Sequence, residues 1–377
     1  MGKFYEGGVR LAEVIRSGFP EGYHHGSAVV LDAAGTLVAA AGDVESPMFP
    51  RSSNKPMQAV GMLRAGLRLT DPADLALVCA SHWGQDIHVN RVAAMLRSAG
   101  LDESALRCPP DMPLDPESAA AVIRAGGGPA RIQMNCSGKH TGMLLTCVAA
   151  GWPTEGYLSP EHPLQQAIAA AVADVAGEEI VATAVDGCGA PLLGLSLTGL
   201  ARSFSRLVEE PTVPGRTDRR GLADEPRADV RPVAEEPSAG QRPVADEPRA
   251  DLRPVADEPR ADVRAVADEP RAHLRAVADA MRANPELVSG RGTVEHQLMS
   301  AVPGMLVKAG AEGVMAVAVP GAGAVAIKMD DGAHRGNRPV LVSALRRIGV
   351  TGEALERAAD VPVLGGGEPV GELRSLW

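Results

Sequence analysis

The sequence predicts a mixed α/β protein of the α+β kind, in which an antiparallel sheet formed by both chain ends is flanked by helices. Two strand pairs and the helical stretches between them carry this expectation. Near the start, Ser27–Asp32 and Thr36–Ala40 are short apolar runs joined through Gly35, which reads as two strands and a tight turn. Near the far end, Val314–Val319 and Ala324–Met329 flank Pro320-Gly321-Ala322-Gly323, and Asp330-Asp331-Gly332 adds a further turn. Between the two pairs, Val89–Ala99, Pro116–Ala125 and His162–Val175 carry apolar residues at helical spacing. Strands at both ends with helices between them suggest one shared sheet with a helical layer packed on it.

Composition bounds what this fold can do. A chain of 377 residues, 45% of them hydrophobic, can bury a full core. Aromatic residues make up only 3%, so that core must be built from Ala, Val, Leu and Met. A formal charge of −10 without any Lys/Arg-rich block argues against a nucleic-acid surface and favours a small-molecule ligand. No apolar run reaches the ~18 residues of a membrane span. Met1-Gly2-Lys3-Phe4-Tyr5-Glu6 is polar and acidic where a secretory segment would be apolar, so a cytoplasmic protein is expected. A homodimer stays open as its assembly. Cys79, Cys108, Cys136, Cys147 and Cys188 are too sparse for a disulfide scaffold and read as thiols, small core residues or metal ligands.

One region stands outside the pattern. From Leu222 the chain repeats with a period of eleven residues, with a degenerate unit from Val233 and near-copies beginning at Val244, Val255 and Val266. Such a period suits a right-handed helical supercoil, but Pro226, Pro237, Pro248, Pro259 and Pro270 each remove a helical hydrogen bond. Each unit has too few aliphatic side chains among its charges to offset the entropy of ordering its backbone. The stretch 222–272 is therefore expected to be a disordered insertion, with ordered structure resuming near Arg275.

Four segments carry residues suited to chemistry. Arg51-Ser52-Ser53-Asn54-Lys55-Pro56 contains Ser-x-x-Lys; on a helix, Ser52 and Lys55 share a face, and a desolvated lysine can take the serine proton. The same residues also read as an N-cap serine beside a solvated lysine. Cys79-Ala80-Ser81-His82-Trp83-Gly84 follows the apolar run Leu75–Val78 and suits a catalytic turn. Taken alone, Ser81 as a helix cap and His82 as a satisfied core histidine are the simpler readings. Asn135-Cys136-Ser137-Gly138-Lys139-His140-Thr141-Gly142-Met143 and Asp186-Gly187-Cys188-Gly189-Ala190-Pro191 supply two soft sulfurs. With a nitrogen from Lys139 or His140 they make a zinc site with an open fourth position; otherwise they are two buried cysteines. Gly138-Lys139 is not a phosphate loop, because Ala130–Gln133 lacks the preceding glycine of that motif.

In this order, together with Lys308-Ala309-Gly310-Ala311-Glu312-Gly313, these segments resemble the rhizobial-type L-asparaginase II family. The resemblance runs from about Val14 to the Gly365-rich tail, excluding the repeats. It implies a fold like that of the serine β-lactamases and glutaminases, with residues 1–221 and 273–377 as a single amidohydrolase domain. It also implies hydrolysis of L-asparagine to aspartate and ammonia by two Ser-Lys tandems, matched here by Ser52 with Lys55 and Ser81 with Lys308. Zinc is implied at Cys136, Lys139 and Cys188. On this reading Ser52 attacks the carboxamide, neutral Lys55 is the general base, and Ser81 with Lys308 relays protons to the leaving ammonia. Arg51 is the candidate for the substrate carboxylate, with His82 and Asp186 as further substrate-binding residues. Trp83, Gln85-Asp86 and the repeats depart from the family pattern.

Two other functions compete with this one. The same Ser-x-x-Lys arrangement serves serine acyl-enzymes acting on β-lactams or peptidoglycan peptides. A non-catalytic zinc or scaffold protein would use Cys136 and Cys188 structurally and the repeats as a docking tail.

Overall fold

The computed structural model describes residues 4–209 and 263–377, the side chains of 263–270 excepted. The chain divides into two compact units, Met1–Glu210 with Asp268–Trp377, and Pro211–Ala267. Of the second unit only the backbone from Val263 is described, so the insertion expected from Leu222 lies outside the described residues as far as Asp262.

The strands are β1 (Val9–Arg16), β2 (Phe19–Asp32), β3 (Leu37–Ala41), β4 (Ala182–Val185), β5 (Pro191–Gly194), β6 (Leu306–Gly310), β7 (Val314–Val319), β8 (Gly323–Met329), β9 (Pro362–Gly365) and β10 (Glu368–Ser375). Among the described residues, eight of them form one antiparallel sheet in the order β6-β7-β8-β2-β1-β10-β9, with β3 paired to β2. β4 and β5 make a separate hairpin. Both ends of the chain meet in the large sheet, Ala12 of β1 opposite Ser375 of β10 and Ala28 of β2 opposite Ile327 of β8.

The expected strand Ser27–Asp32 is the inner half of β2, and the second strand pair corresponds to β7 and β8. β1 was not anticipated. Its residues Leu11, Ala12, Glu13 and Val14 are buried in succession, which erases the alternation by which a half-exposed strand is recognised. Buried Glu13 is held there by Arg374 of the neighbouring strand.

The helices are α1 (Lys55–Arg64), α2 (Pro72–Val78), α3 (Asp86–Ser98), α4 (Pro116–Arg124), α5 (Ser137–Ala150), α6 (Pro163–Ala176), α7 (Leu197–Val208), α8 (Val263–Ala283), α9 (Pro285–Val288), α10 (Val294–Ala301), α11 (His334–Arg346) and α12 (Glu353–Ala359). The three expected helices are α3, α4 and α6, the last capped by the His162 ring, which accepts from Leu164 N–H. In β2, Ala28, Val29, Val30 and Leu31 are all buried, and since successive side chains point to opposite faces the strand is covered on both sides. α7 and α11 both pack against this sheet.

α8 opens at Val263, earlier than the resumption expected near Arg275, and passes through Pro270. Its later half buries Val277, Ala278, Ala280 and Met281, and a helix anchored this way extends through helix-forming Ala and Arg residues despite the hydrogen bond that Pro270 removes. Among the described residues no helix is long and apolar enough to cross a membrane.

Candidate active site

The residues Arg51–Asn54 form one turn of 3-10 helix that runs directly into α1. Arg51 opens it at φ 54°, a left-handed conformation that non-glycine residues seldom adopt and that recurs at functional sites. α1 starts at Lys55 with Pro56 beside it, in the first turn where a missing N–H breaks no helical bond. Lys55 is thereby carried inside, only 1% exposed. Its Nζ donates to Ala80 O at 2.5 Å, Ser81 Oγ at 3.1 Å and Cys136 Sγ at 3.1 Å. All three ammonium hydrogens have partners.

Ser81 lies in the extended segment after α2. Its N–H donates to Val288 O at 2.9 Å and that of His82 to Asn135 O at 3.1 Å, so the segment is pinned from two sides. The Ser81 amide is thus engaged and has no hydrogen left for an oxyanion. Lys308 arrives from β6, at the edge of the sheet, and its Nζ lies 3.0 Å from Ser81 Oγ and 2.8 Å from Ala309 O. Two buried lysines therefore converge on one hydroxyl. Burial, and then the neighbouring Lys55 charge, pull the Lys308 pKa down to about 7. Close packing sets this approach: a Cβ on Gly310 would come within 2.4 Å of Pro50 O, so only glycine lets β6 lie against the Arg51–Asn54 turn.

Ser52, Ser81 and Lys308 line a cavity of about 620 Å³, with Trp83, Asn135 and Glu295 among its walls. The tandem expected between Ser52 and Lys55 takes a different form here. Lys55 Nζ bonds to Ser81, and Ser52 shares the cavity without a hydrogen bond to either lysine. Ser53 is buried, its Oγ donating to Pro50 O at 2.7 Å.

Of the candidate substrate-binding residues, Arg51 and Asp186 meet and His82 lies apart. Arg51 Nε donates to Asp186 Oδ1 at 2.8 Å, and a weaker contact of 3.4 Å joins its Nη1 to Glu312. Asp186 also accepts from Gly187 N–H, within the tight turn between β4 and β5. His82 is fully buried behind Ser81. Its Nδ1 accepts from Gly84 N–H at 3.1 Å, which makes Nε2 the donor to Ser137 Oγ at 2.8 Å. Burial, then His88 and Lys55, hold this ring well below the usual histidine range and so neutral.

The two cysteines meet beside this cluster. Gly138 lets α5 start against α2, since a Cβ there would come within 2.4 Å of Leu77 O. This brings Cys136 and Lys139, one helical turn apart, up to Cys188 from the β4–β5 turn. Lys139 Nζ donates to Cys188 Sγ at 3.1 Å. Cys188 is held far below the thiol range by the hydrogen bond from Cys136, with Lys139 adding to the effect against burial. Burial pulls Lys139 down, but the Cys188 and Cys136 sulfurs outweigh it and keep the ammonium charged. Tyr157 Oη receives Arg107 N–H and lies 2.7 Å from His140 Nδ1, so its proton goes to that nitrogen and Nε2 carries the ring hydrogen. That buried Nε2 has no hydrogen-bond partner.

Among the described residues no three His, Cys, Asp or Glu side chains are grouped to hold a metal ion. A centre here therefore needs lysine as its third donor. The sulfurs of Cys136 and Cys188 lie around the Lys139 nitrogen, which touches Cys188 Sγ, and this S₂N set would suit zinc with a fourth position open once Lys139 gave up its proton, because an ammonium has no lone pair to donate. The other thiols, Cys79, Cys108 and Cys147, are buried and free, all pushed up by burial, Cys79 to about 12.

Sequence reading missed Glu295, His334 and Arg335 on the cavity wall. No motif surrounds them, and only the packing of α10 and α11 brings them to the site.

The family model described as L-asparaginase II matches residues 12–232 and 252–375. No curated protein matches the chain. Among solved structures, "Crystal Structure Analysis of Mglu in its native form" aligns at 14% identity and a TM-score of 0.39, over 85% of this chain and 63% of that one. A second, "Crystal Structure Analysis of Mglu", aligns at 15% identity and a TM-score of 0.32, over 85% of this chain and 65% of its own. The chain thus spans less than two thirds of either.

Proposed function

Because the chain belongs to the L-asparaginase II family, whose membership implies an asparaginase-type amidohydrolase, we propose that it hydrolyses L-asparagine to L-aspartate and ammonia through the cluster of Ser81, Lys308, Lys55 and Ser52. The observation that carries the chemistry is Ser81 Oγ held between Lys308 Nζ at 3.0 Å and Lys55 Nζ at 3.1 Å. With a pKa of about 7, Lys308 is in part a neutral amine near neutrality and accepts the Ser81 proton as Oγ attacks the carboxamide carbon. The same Nζ returns that proton to the departing nitrogen, the C–N bond breaks, and ammonia leaves behind an ester on Ser81. Water then attacks the ester carbon with Lys308 again as base, the ester C–O bond breaks, and Ser81 recovers its proton. Lys55, donating to Ser81 Oγ, stabilises the charge that develops there.

A second reading reverses the serines. Ser52 attacks, Lys55 is its base, and Ser81 passes protons between the two lysines. Its support is the position of Ser52 on the cavity wall three residues before Lys55.

Arg51 is the candidate for the substrate carboxylate, shared with Asp186, to which it is already paired. Cys136, Lys139 and Cys188 would hold zinc, which when bound supplies positive charge that lowers the pKa of nearby amines and orients polar groups. We read the fold as serine β-lactamase-like, from its antiparallel sheet built by both chain ends and Ser-x-x-Lys at the head of a buried helix.

The test is ammonia release from asparagine, glutamine and small amides by purified protein, with and without added zinc. Turnover of a chromogenic β-lactam with no ammonia from any amide would select the acyl-enzyme alternative. Partner binding without any amide hydrolysis would select the scaffold.

A further inference from the structure

The cavity beside Ser81 is lined by one acidic residue, Glu295, and by the basic Lys308, His334, Arg335 and Arg338. An amino-acid substrate carries a carboxylate and an ammonium group. Such walls suit the first but repel the second, unless a carboxylate meets it. Three neighbouring carboxylates are already engaged: Asp186 by Arg51 and Gly187 N–H, Glu312 by Arg51, and Asp331 by His24. Glu295 makes no hydrogen bond or ion pair with another described side chain.

Its position is also held firmly. Glu295 lies in the first turn of α10, whose cap Thr293 accepts from His296 N–H at 3.2 Å and donates to Gly290 O at 3.0 Å, while Ser289 Oγ meets Thr293 Oγ1 at 2.6 Å. The carboxylate is close enough to act on both Lys308 and His334, raising the proton affinity of each against the effect of burial. A receptor fixed by its own backbone before substrate arrives loses little entropy on binding.

We infer that Glu295 is a specificity-determining residue, whose carboxylate receives the α-ammonium group of the substrate at the cavity wall facing Ser81 and Lys308. This rests on the asparaginase reading and narrows it, because it makes the enzyme select amino-acid amides over amides that lack the amino group. A first-turn glutamate also complements its helix dipole. That structural role alone would give no discrimination between substrates.

The experiment compares L-asparagine with succinamate, which keeps the carboxamide and carboxylate and lacks only the amino group. Steady-state kinetics of the full chain, Glu295→Gln and Glu295→Asp are measured for both, with thermal midpoints to confirm folding. A charge-assisted hydrogen bond of ordinary strength predicts that the kcat/KM ratio of asparagine over succinamate falls roughly 10–100-fold in Glu295→Gln, mostly through KM. Glu295→Asp should recover part of it. An unchanged ratio overturns the inference. So does an equal loss on both substrates with a displaced pH profile, which would mean that Glu295 acts only through Lys308. If the parent chain hydrolyses neither amide, the asparaginase reading fails, and calorimetric titration with L-aspartate and succinate still decides the point. Preference for aspartate that vanishes in Glu295→Gln supports the ammonium site, and equal binding of the two overturns it.

Discussion

Lys308 Nζ lies 3.0 Å from Ser81 Oγ, although the two residues are 227 positions apart in the chain. The contact joins the edge strand of the sheet to the segment that follows α2. Both residues are held by further bonds, Lys308 to Ala309 O and the Ser81 amide to Val288 O. The hydroxyl and the amine are therefore preorganised as a pair before substrate arrives.

On the proposed mechanism Lys308 sets the pH dependence. Its pKa falls to about 7 because burial and then Lys55 disfavour the charged form. As a base it must be neutral, so kcat/KM should rise through about pH 7 and level off above it. Lys308→Met should be inactive yet more thermally stable than the parent at pH 6. The sign follows from linkage: the unfolded lysine binds its proton more tightly than the folded one, so folding is penalised below the folded pKa and the penalty fades as pH rises towards the unfolded value. Rate profiles and thermal midpoints at pH 6 and pH 10 check both statements.

The serines should separate by substitution. With Ser81 as nucleophile, Ser81→Ala should lose at least roughly 10³-fold in kcat while folding normally. Ser52→Ala should retain measurable turnover. The reverse result would make Ser52 the nucleophile and Ser81 the relay. Ser53→Ala should cost only ~1 kcal/mol of stability, the worth of one buried hydrogen bond to Pro50 O.

Metal content tests the thiol centre. If Cys136, Lys139 and Cys188 hold zinc, elemental analysis should find about one ion per chain, and Cys188→Ala should reduce it sharply. Full activity in a metal-free preparation would leave the two cysteines and Lys139 as a buried thiolate–ammonium cluster.

Gly310→Ala should be more harmful than a surface change of the same size. The added Cβ would come within 2.4 Å of Pro50 O and 3.0 Å of Ser53 N, and backbone cannot step aside as a flexible side chain can. β6 should move away from the Arg51–Asn54 turn, widening the gap between Lys308 and the two serines. A fall in kcat larger than the loss in thermal midpoint would be the expected pattern, and parent-like kinetics would argue against it.

Deleting residues 222–262 should leave asparagine turnover near that of the full chain, because none of the recognised motifs falls in that span. Loop-closure entropy varies slowly with length, so stability should change by no more than about 1–2 kcal/mol. Extending the deletion to Ala272 removes the first half of α8 and should cost more. A large loss from the shorter deletion would mean that the repeats contribute to the enzyme.

By itself, the sequence determined the class of fold, the presence of the Ser-x-x-Lys turn and the placing of Cys136, Lys139 and His140 in one contiguous motif. These depend on local pattern: apolar runs bounded by turn residues for β2, β7 and β8, helical spacing for α3, α4 and α6, and contiguous motifs for the site residues. β1 escaped because Arg10, Glu13 and Arg16 interrupt its apolar residues three apart, leaving neither a continuous apolar run nor an alternation to reveal it. Only the tertiary structure decided that Lys55 reaches Ser81 where local spacing pointed to Ser52, that Arg51 is already paired with Asp186, and that His82 is turned into the core. The same holds for Glu295, which no motif marks. A side chain as long as lysine can reach partners well beyond its own helical turn, and which one it meets depends on how α1, α2 and β6 pack, with Gly310 permitting the closest of those approaches.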